Sequence, residues 1–217
     1  MSINKVILNK IFNFYKPSGI SSAEFLNFLK QKFAYKKAGF AGTLDPLASG
    51  VLVVGIDEST KLLSKLTNVN KQYYVEILFG LKTDTDDITG KITHESLNFP
   101  KTIEQINKGV NYFLTNKYFQ TPPKYSAVKV NGQRAYKLAR KNINFNLSPR
   151  LVSLFKVKII SFNLPVLSLL IDVSKGFYVR QFSTDLAKFL NTYATVQKII
   201  RTKCGEYKLK DSIVSIF

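Results

Sequence analysis

The sequence contains very few of the residues from which disulfides, zinc sites and catalytic triads are built. There is one cysteine, Cys204, and one histidine, His94, among 217 residues, and there is no tryptophan. One cysteine cannot form an internal disulfide, which fits a reducing cytoplasm. A zinc site with several histidine or cysteine ligands is excluded, and a serine–histidine–aspartate triad would have to use His94, which lies in a polar, turn-like stretch. If the chain is an enzyme, carboxylate, tyrosine, lysine or arginine side chains must do the chemistry.

Long apolar runs are also missing. No run approaches the length of a membrane span, and the first residues lack the compact hydrophobic block of a signal peptide. With 45% hydrophobic residues, the chain is nevertheless long enough to bury one sizeable core. We therefore expect a cytoplasmic protein with a single domain over residues 1–217, without internal repeats or linkers.

Acidic residues are scarce relative to basic ones. The chain has 32 Lys+Arg against 14 Asp+Glu, a formal net charge of +18. An AT-rich genome raises the lysine content, but it would raise the glutamate content too. The excess therefore indicates a polyanionic partner. The 17 Phe and 11 Tyr residues offer faces on which unpaired bases can stack, although most of them are expected in the core.

The stretch at 38–56, A-G-F-A-G-T-L-D-P-L-A-S-G-V-L-V-V-G-I, is the most distinctive of the chain. Gly39, Gly42, Gly50 and Pro46 predict a tightly shaped loop, and the apolar residues that follow predict a buried strand. One carboxylate, Asp45, lies in the middle. Local chemistry alone favours Asp45 as the N-cap of a short helix that has Pro46 as its first residue.

This stretch resembles the signature of the TruB family, the enzymes that make pseudouridine in the T-loop of tRNA. The family pattern is close to G-H-x-G-x-L-D-P-x-A-x-G-x-L. The resemblance implies that Asp45 is the catalytic nucleophile. Phe40 departs from the pattern because it stands where the family has histidine, and we expect it to face the catalytic cleft and contact the displaced base, unless it packs into the core. The matching residues are Gly39, Gly42, Leu44, Asp45, Pro46, Ala48, Gly50 and Leu52.

Further segments resemble family motifs in the same order. The strand motif K-x-Y matches K-Q-Y, which implies that Tyr73 lies against the target uracil. The motif S-x-G-x-Y-I-R matches S-K-G-F-Y-V-R, which implies that Tyr178 lines the uracil pocket and that Arg180 pairs with the catalytic aspartate. The motif L-R-R-T-x-x-G-x-F is similar to I-I-R-T-K-C-G-E-Y and places Ile199 beside the base. Without the resemblance, Tyr73 would be assigned to the core and Arg180 to the surface.

The segment 120–141, Q-T-P-P-K-Y-S-A-V-K-V-N-G-Q-R-A-Y-K-L-A-R-K, is strongly basic. Asn131-Gly132 predicts a hairpin turn. The segment resembles the family loop that closes over the bound T-arm, so we interpret it as an RNA clamp; the alternative is a solvated basic face. The candidate RNA contacts along the chain are Lys16, Lys129, Arg134, Lys137, Arg140, Lys175 and Arg201.

The acidic stretch T-D-T-D-D-I-T-G at 83–90 is similar to a calcium-binding loop. That loop requires an acid or asparagine at 88 and glycine at 89, where this chain has Ile88 and Thr89. The segment therefore predicts a polar turn between strands, and the TruB family has a similar turn there.

The resemblance implies the α+β fold of the pseudouridine synthases, with a mixed, mainly antiparallel sheet, flanking helices and a central catalytic cleft. No segment resembles the RNA-binding PUA domain with which bacterial relatives usually end. We therefore expect one catalytic domain that acts on tRNA as a monomer, without a protein partner, metal or organic cofactor. Periodicity predicts strands at 11–15, 72–79, 151–162 and 166–173, and helices that begin after Ser21, over 102–115 and after Arg180.

The implied reaction is an isomerisation in which uracil is detached from C1′ and reattached through carbon, with Asp45 as the nucleophile toward the sugar or the base. The target uridine would have to be flipped out of the folded loop. Two alternatives remain at this stage. One is a catalytically idle, basic RNA-binding protein or tRNA-folding chaperone, since Phe40 breaks the signature. The other is a relative that is guided by a separate RNA.

Overall fold

The computed structural model describes residues 10–214. Two segments, Asp57–Leu62 and Leu209–Asp211, form short 3-10 helices. In chain order the strands and helices are β1 (Ile11–Lys16), α1 (Ser22–Lys32), β2 (Ala38–Ala41), β3 (Ser49–Ile56), α2 (Leu63–Thr67), β4 (Lys71–Phe79), β5 (Leu81–Thr83), β6 (Ile92–Glu95), α3 (Ile103–Thr115), β7 (Tyr118–Gln120), β8 (Lys129–Val130), β9 (Gln133–Arg134), α4 (Ala135–Arg140), β10 (Arg150–Val152), β11 (Leu154–Asn163), β12 (Val166–Val173), α5 (Val179–Phe189), β13 (Ala194–Cys204), β14 (Tyr207–Lys208) and β15 (Ile213–Val214).

The chain divides into two compact units, residues 1–69 with 203–217 and residues 70–202. We call them the first and the second unit. Both lie inside the interval predicted as one catalytic domain, and that single domain stays a prediction. Of the helices within residues 10–214, none combines the length and the apolarity needed to cross a membrane.

The first unit is built around β3, whose eight residues are all buried. It pairs with β1 in antiparallel register, Ile11 opposite Gly55 and Lys16 opposite Gly50. The C-terminal half of β3, residues 53–56, also pairs with β2 in antiparallel register. Strand β15 pairs with β1 in parallel. Burial on both faces explains why β3 reads as a continuous apolar run rather than as an alternating one.

Helix α1 covers one face of these strands. It begins after Ser21, as predicted, with a capping box in which the Ser21 hydroxyl accepts from the Glu24 amide and the Glu24 carboxylate accepts from the Ser21 amide. Its apolar face packs into a core cluster formed by Phe14, Phe25, Leu29, Leu52, Val54 and Ile56.

A second core cluster of the first unit joins α2 to β2 and β3. Its buried residues are Ala41, Val51, Val53, Leu63 and Cys204. Close approach explains two of the glycines: a Cβ on Gly39 would lie 2.9 Å from Leu63 Cδ1, and one on Gly55 would lie 2.9 Å from the Ser59 carbonyl oxygen. A side chain at Gly55 would displace the backbone of the Asp57–Leu62 helix, and one at Gly39 would displace the Leu63 side chain.

The second unit contains an antiparallel sheet in which β12 lies between β11 and β4, and β13 borders β4 on its other side. Strand β4 alternates as predicted, with Tyr73, Val75, Ile77 and Phe79 buried on one face. The last residues of β13 belong to the first unit.

Helices α3 and α5 of the second unit pack closely on each other. A Cβ on Gly109 would lie 2.8 Å from Leu186 Cδ1, so glycine allows α3 to approach α5. Phe113 of α3 contacts Phe182 of α5 edge-on, with ring centroids 5.6 Å apart. Such aromatic contacts and the buried apolar faces hold the pair together.

The α+β class and the mixed, mainly antiparallel pairing are confirmed: β1–β15 is parallel, and the other strand pairs with a described register are antiparallel.

The interpretation of Asp45 as a helix N-cap is wrong. Residues 42–48 contain no helix, so Asp45 is not a helix N-cap. Its carbonyl instead accepts from the Ala48 amide at 3.0 Å and closes a β-turn.

Candidate active site

In the first unit, the loop between β2 and β3 presents the half-buried Asp45. The loop is held on its α1 side by Ser22, whose buried hydroxyl donates to the Leu44 carbonyl and accepts from the Leu44 amide, both at 2.9 Å. Gly42 and Gly50 have φ of +72° and +106° at the two ends of the loop, a conformation that favours glycine. Both ends and the residue before Asp45 are therefore fixed.

The K-P-S-G turn after β1 holds the other side of this loop. The Gly19 amide donates to the Pro46 carbonyl at 2.8 Å, and the Ser18 hydroxyl donates to the Leu47 carbonyl at 2.6 Å. Asp45 thus lies in a segment whose neighbouring carbonyls on both sides are bonded to other elements. A backbone held this way loses little conformational freedom when a substrate meets Asp45.

Lys16 differs from the sequence expectation. It is fully buried, and its ammonium donates to the carbonyls of Pro17 at 2.7 Å and Ile20 at 2.6 Å. A buried cation must be satisfied internally, so in this structure Lys16 shapes the K-P-S-G turn and does not present its charge to RNA.

Phe40 is half-buried on β2, opposite Val54 of β3, and packs against the α1 core cluster. This contact supports the packing alternative for part of the ring. The role of its remaining surface in substrate contact stays a prediction.

In the second unit, Arg180 lies in the first turn of α5 and is almost fully buried. Its Nη1 donates to the Thr85 carbonyl at 2.7 Å, and its Nη2 donates to the Tyr125 carbonyl at 2.9 Å. Arg180 therefore joins α5 to the 83–90 turn and to the predicted clamp segment. The geometry of a guanidinium is rigid, so these bonds also fix its direction.

The 83–90 turn is itself tightly organised around Asp87. The Asp87 carboxylate accepts from the Thr89 amide at 3.0 Å and from the hydroxyls of Thr85 and Thr89 at 3.0 and 2.5 Å. The Asp87 carbonyl accepts from the buried Thr83 hydroxyl at 2.7 Å, and the Ile88 amide donates to Val196 of β13 at 2.9 Å. The predicted polar turn is confirmed, and it holds the carbonyl that binds Arg180.

Tyr178 precedes α5, half-buried. Its amide donates to Gln120 Oε1 at 2.8 Å, and its carbonyl accepts from Gln120 Nε2 at 3.0 Å. Gln120 Nε2 also donates to the Tyr118 hydroxyl, which donates to Asp185 at 2.6 Å. Sequence reasoning did not single out these three partners, although Gln120 opens the Q-T-P-P motif.

Tyr73 and Ile199 both lie in the sheet of the second unit and are largely buried. Tyr73 is on β4, opposite Ile171 of β12, and Ile199 is on β13, the strand that borders β4. The sheet therefore brings their two strands side by side. Their predicted contacts with the base stay predictions.

The basic segment keeps most of its predicted charges at the surface: Lys129, Arg134, Lys137 and Arg140 are all exposed. The Asn-Gly turn is confirmed, with φ of +48° at Asn131 and +81° at Gly132 between β8 and β9. The Arg134 guanidinium donates to the Ala127 carbonyl within the hairpin, and that of Arg140 lies 5.6 Å from the Tyr136 ring centroid. Lys175 is also exposed, in the turn before Tyr178.

Arg201 departs from the sequence expectation in the same way as Lys16. It is the largest fully buried side chain of the described chain, with only 1% of its surface exposed. A guanidinium enclosed on β13 cannot contact an RNA phosphate in this conformation, so Arg201 acts within the fold.

Two half-buried carboxyls of the second unit were not anticipated. Burial raises the pKa of Asp86 above its ordinary value, although Lys82, the Thr184 hydroxyl and Arg180 counteract it. Burial likewise raises the pKa of Asp185, although the hydrogen bond from Tyr118 lowers it.

Within residues 10–214, no three histidine, cysteine, aspartate or glutamate residues lie close enough together to bind a metal ion.

The model of the TruB family pseudouridylate synthase (N terminal domain) matches residues 30–179. The tRNA pseudouridine synthase B of Ureaplasma urealyticum is 45% identical over 214 residues, covering 98% of this chain and 91% of that protein. The enzyme of the same name from Mycoplasmoides gallisepticum is 47% identical over 205 residues, covering 94% and 95%.

Solved structures show the same fold. The chain superposes on a protein of a Cbf5-Nop10-Gar1 complex with a TM-score of 0.73 at 22% identity, and on a chain of an H/ACA RNP bound to a substrate RNA with a TM-score of 0.69 at 20% identity. Each match covers 94% of this chain but only about half of the solved chain (51% and 50%). Because the family model matches residues 30–179 and the two tRNA pseudouridine synthase B relatives align over nearly their whole length, the chain belongs to the TruB family of pseudouridylate synthases.

Proposed function

We propose that this protein is an isomerase that converts uridine to pseudouridine in the T-loop of tRNA, at the position numbered 55 by tRNA convention. The observation that carries the proposal is the L-D-P loop, which holds the half-buried Asp45 between two bonded carbonyls in a chain of the TruB family. Relatives that share 45–47% of its residues over nearly their whole length are named tRNA pseudouridine synthase B.

The reaction breaks the bond between C1′ and N1 of the base and forms a bond between C1′ and C5. The proton at C5 leaves to solvent, and N1 gains a proton, so no oxidant, reductant or second substrate is required. Asp45 is the nucleophile in this proposal, toward the sugar or the base. The resemblance implies that Arg180 keeps Asp45 ionised, since an opposite charge nearby favours the charged form; this pairing stays a prediction.

Exposed cations on the hairpin and on α4 support the clamp role of the 120–141 segment. Lys129, Lys137 and Arg140 project into solvent in a chain whose net charge is +18. Phosphate contacts of this kind supply affinity without reading sequence. In the proposal the protein acts as a monomer in the cytoplasm, with tRNA as its partner and without a guide RNA, metal or cofactor.

The test uses purified protein and tRNA that lacks the modification, with 5-tritiated uridine and EDTA in the buffer. We expect tritium release that stops at one equivalent per tRNA and disappears when the target uridine is replaced by cytidine. Tight tRNA binding without any release, at stoichiometric protein, would refute the enzyme and favour the idle RNA-binding alternative. Release that requires an added guide RNA would favour the guided alternative.

A further inference from the structure

We propose that Gln120 is a positioning residue for Tyr178 and the start of α5, and that Tyr118 and Asp185 orient Gln120 for this task. The proposal deepens the proposed function and rests on it, because Tyr178 matters here as a residue of the uracil pocket. All four side chains belong to the second unit.

Gln120 contacts both polar groups of the Tyr178 backbone. Its Oε1 accepts from the Tyr178 amide at 2.8 Å, and its Nε2 donates to the Tyr178 carbonyl at 3.0 Å. Only 1% of the Gln120 surface is exposed, so water does not compete for these bonds. A buried amide paired with a backbone in this two-point manner fixes its position and its orientation together.

Tyr118 and Asp185 favour the same orientation of the Gln120 amide that the Tyr178 backbone requires. The Tyr118 hydroxyl donates its single proton to Asp185 at 2.6 Å. Gln181 Nε2 also donates to this carboxylate, at 2.9 Å. Toward Gln120 the Tyr118 oxygen can then only accept, which it does from Nε2 at 3.0 Å. The Gln120 carbonyl is left for the Tyr178 amide.

Tyr178 stands where an irregular turn becomes a helix. It occupies the N-cap position of α5 without a side-chain cap hydrogen bond, and it comes shortly after the exposed turn residues Lys175 and Gly176. The Tyr178 carbonyl accepts the first helical bond, from Phe182, as well as the bond from Gln120. Gln120 therefore fixes the point where the turn becomes a helix, two residues before Arg180.

Gln120 also begins the predicted clamp segment. The same segment contributes the Tyr125 carbonyl that accepts from Arg180. Three hydrogen bonds thus join the 120–141 segment to the start of α5, two at Tyr178 and one at Arg180. The clamp and the pocket residues are consequently held in one fixed relation within the second unit.

The test compares Gln120→Met, Tyr118→Phe and the double variant with wild type. Measurements are the single-turnover rate of tritium release, the Kd for tRNA and the Tm. We expect Gln120→Met to slow the rate roughly 10- to 100-fold, the equivalent of about two lost hydrogen bonds, with Kd unchanged within about twofold. Tyr118→Phe should slow the rate less, because the two bonds to Tyr178 remain. The double variant should be no slower than Gln120→Met, because Tyr118 acts only through Gln120.

Gln105→Met is the matched control. Gln105 Oε1 accepts from the amides of Lys101 and Thr102 at the start of α3, so the substitution also removes glutamine bonds to backbone. It should leave the rate unchanged. If wild type is active and Gln120→Met reacts at the same rate, the positioning role is wrong but the proposed function stands. Additive effects in the double variant would have the same meaning. If Gln120→Met does not fold, a Tyr118→Phe rate equal to wild type overturns the positioning role. Inert wild type would overturn both proposals.

Discussion

At the scale of the residue, Lys16 shows that one lysine in a basic chain can serve the fold. Its ammonium binds two carbonyls of the turn that holds the Asp45 loop. We expect Lys16→Met to lower the free energy of unfolding by about 1–3 kcal/mol, because the carbonyls of the half-buried Pro17 and Ile20 lose their donor. Chemical denaturation measures this.

Lys129→Met, on the exposed hairpin, is the control for that change and should alter stability by less than about 0.5 kcal/mol. The salt dependence of tRNA binding should be unchanged in Lys16→Met. A stable Lys16→Met protein with weakened salt dependence would restore Lys16 as an RNA contact.

Phe40 is the residue of the 38–56 stretch that departs from the family signature. The ring packs on the α1 core cluster but is only half-buried. We expect Phe40→Ala to lower the free energy of unfolding by about 1–3 kcal/mol, less than for a fully buried ring, and to slow turnover per folded molecule. Phe119→Ala, at a ring that is 60% exposed, is the stability control. An unchanged rate per folded molecule would show that Phe40 acts through packing alone.

At the scale of the element, we expect the contribution of the 83–90 turn to stability to depend on pH through Asp86. Burial raises the folded-state pKa of Asp86 above 3.8. The proton is therefore bound more tightly in the folded state, so Asp86 stabilises the fold at low pH and this stabilisation is lost as the pH rises through the raised pKa.

Asp86→Asn keeps an acceptor for the Thr184 hydroxyl and removes the buried charge. Asparagine also tolerates the φ of +59° at this position. The variant should be more stable than wild type at pH 7.5, and the difference should vanish near pH 4. Denaturation at several pH values measures it, and a difference that grows toward low pH would contradict this account.

The clamp segment is the element on which RNA affinity should depend most. Each phosphate neutralised on single-stranded RNA contributes about 0.7 to the slope of log K against log salt. Replacing Arg134, Lys137 and Arg140 by alanine should flatten that slope by about 1–2, since Arg134 already donates to Ala127. A triple alanine variant at the exposed lysines 36, 61 and 65 of the first unit is the charge-matched control. Equal flattening in both triples would remove the special role of the clamp.

At the scale of the whole molecule, the sequence predicted those elements that residues close together in the chain determine. Helix α1 begins where predicted because short-range hydrogen bonds cap it, and β4 alternates because only one of its faces is buried. Strand β2 was read as loop, since its four residues include glycine and form a strand only by pairing with β3. The burial of Arg201 was unpredictable for a different reason: charged residues are usually exposed, and only tertiary packing encloses this one.

The candidate site divides in the same way. Motif resemblance selected Asp45, Tyr178 and Arg180, but Gln120 acts through two backbone bonds that bring together residues 58 positions apart. No local pattern reports such a contact. The chemistry-bearing residues were therefore predictable from the sequence, whereas the residues that hold them were not.

The central claim is that the Asp45 carboxylate attacks the substrate, and Asp45→Asn tests it most directly. The measurement is single-turnover tritium release from 5-tritiated tRNA, alongside the Kd for tRNA. Asp57→Asn is the matched control, an exposed aspartate of the first unit that pairs with Lys10. The account predicts no release by Asp45→Asn, unchanged tRNA binding, and wild-type release by Asp57→Asn. Release by Asp45→Asn at a rate comparable to wild type would contradict it.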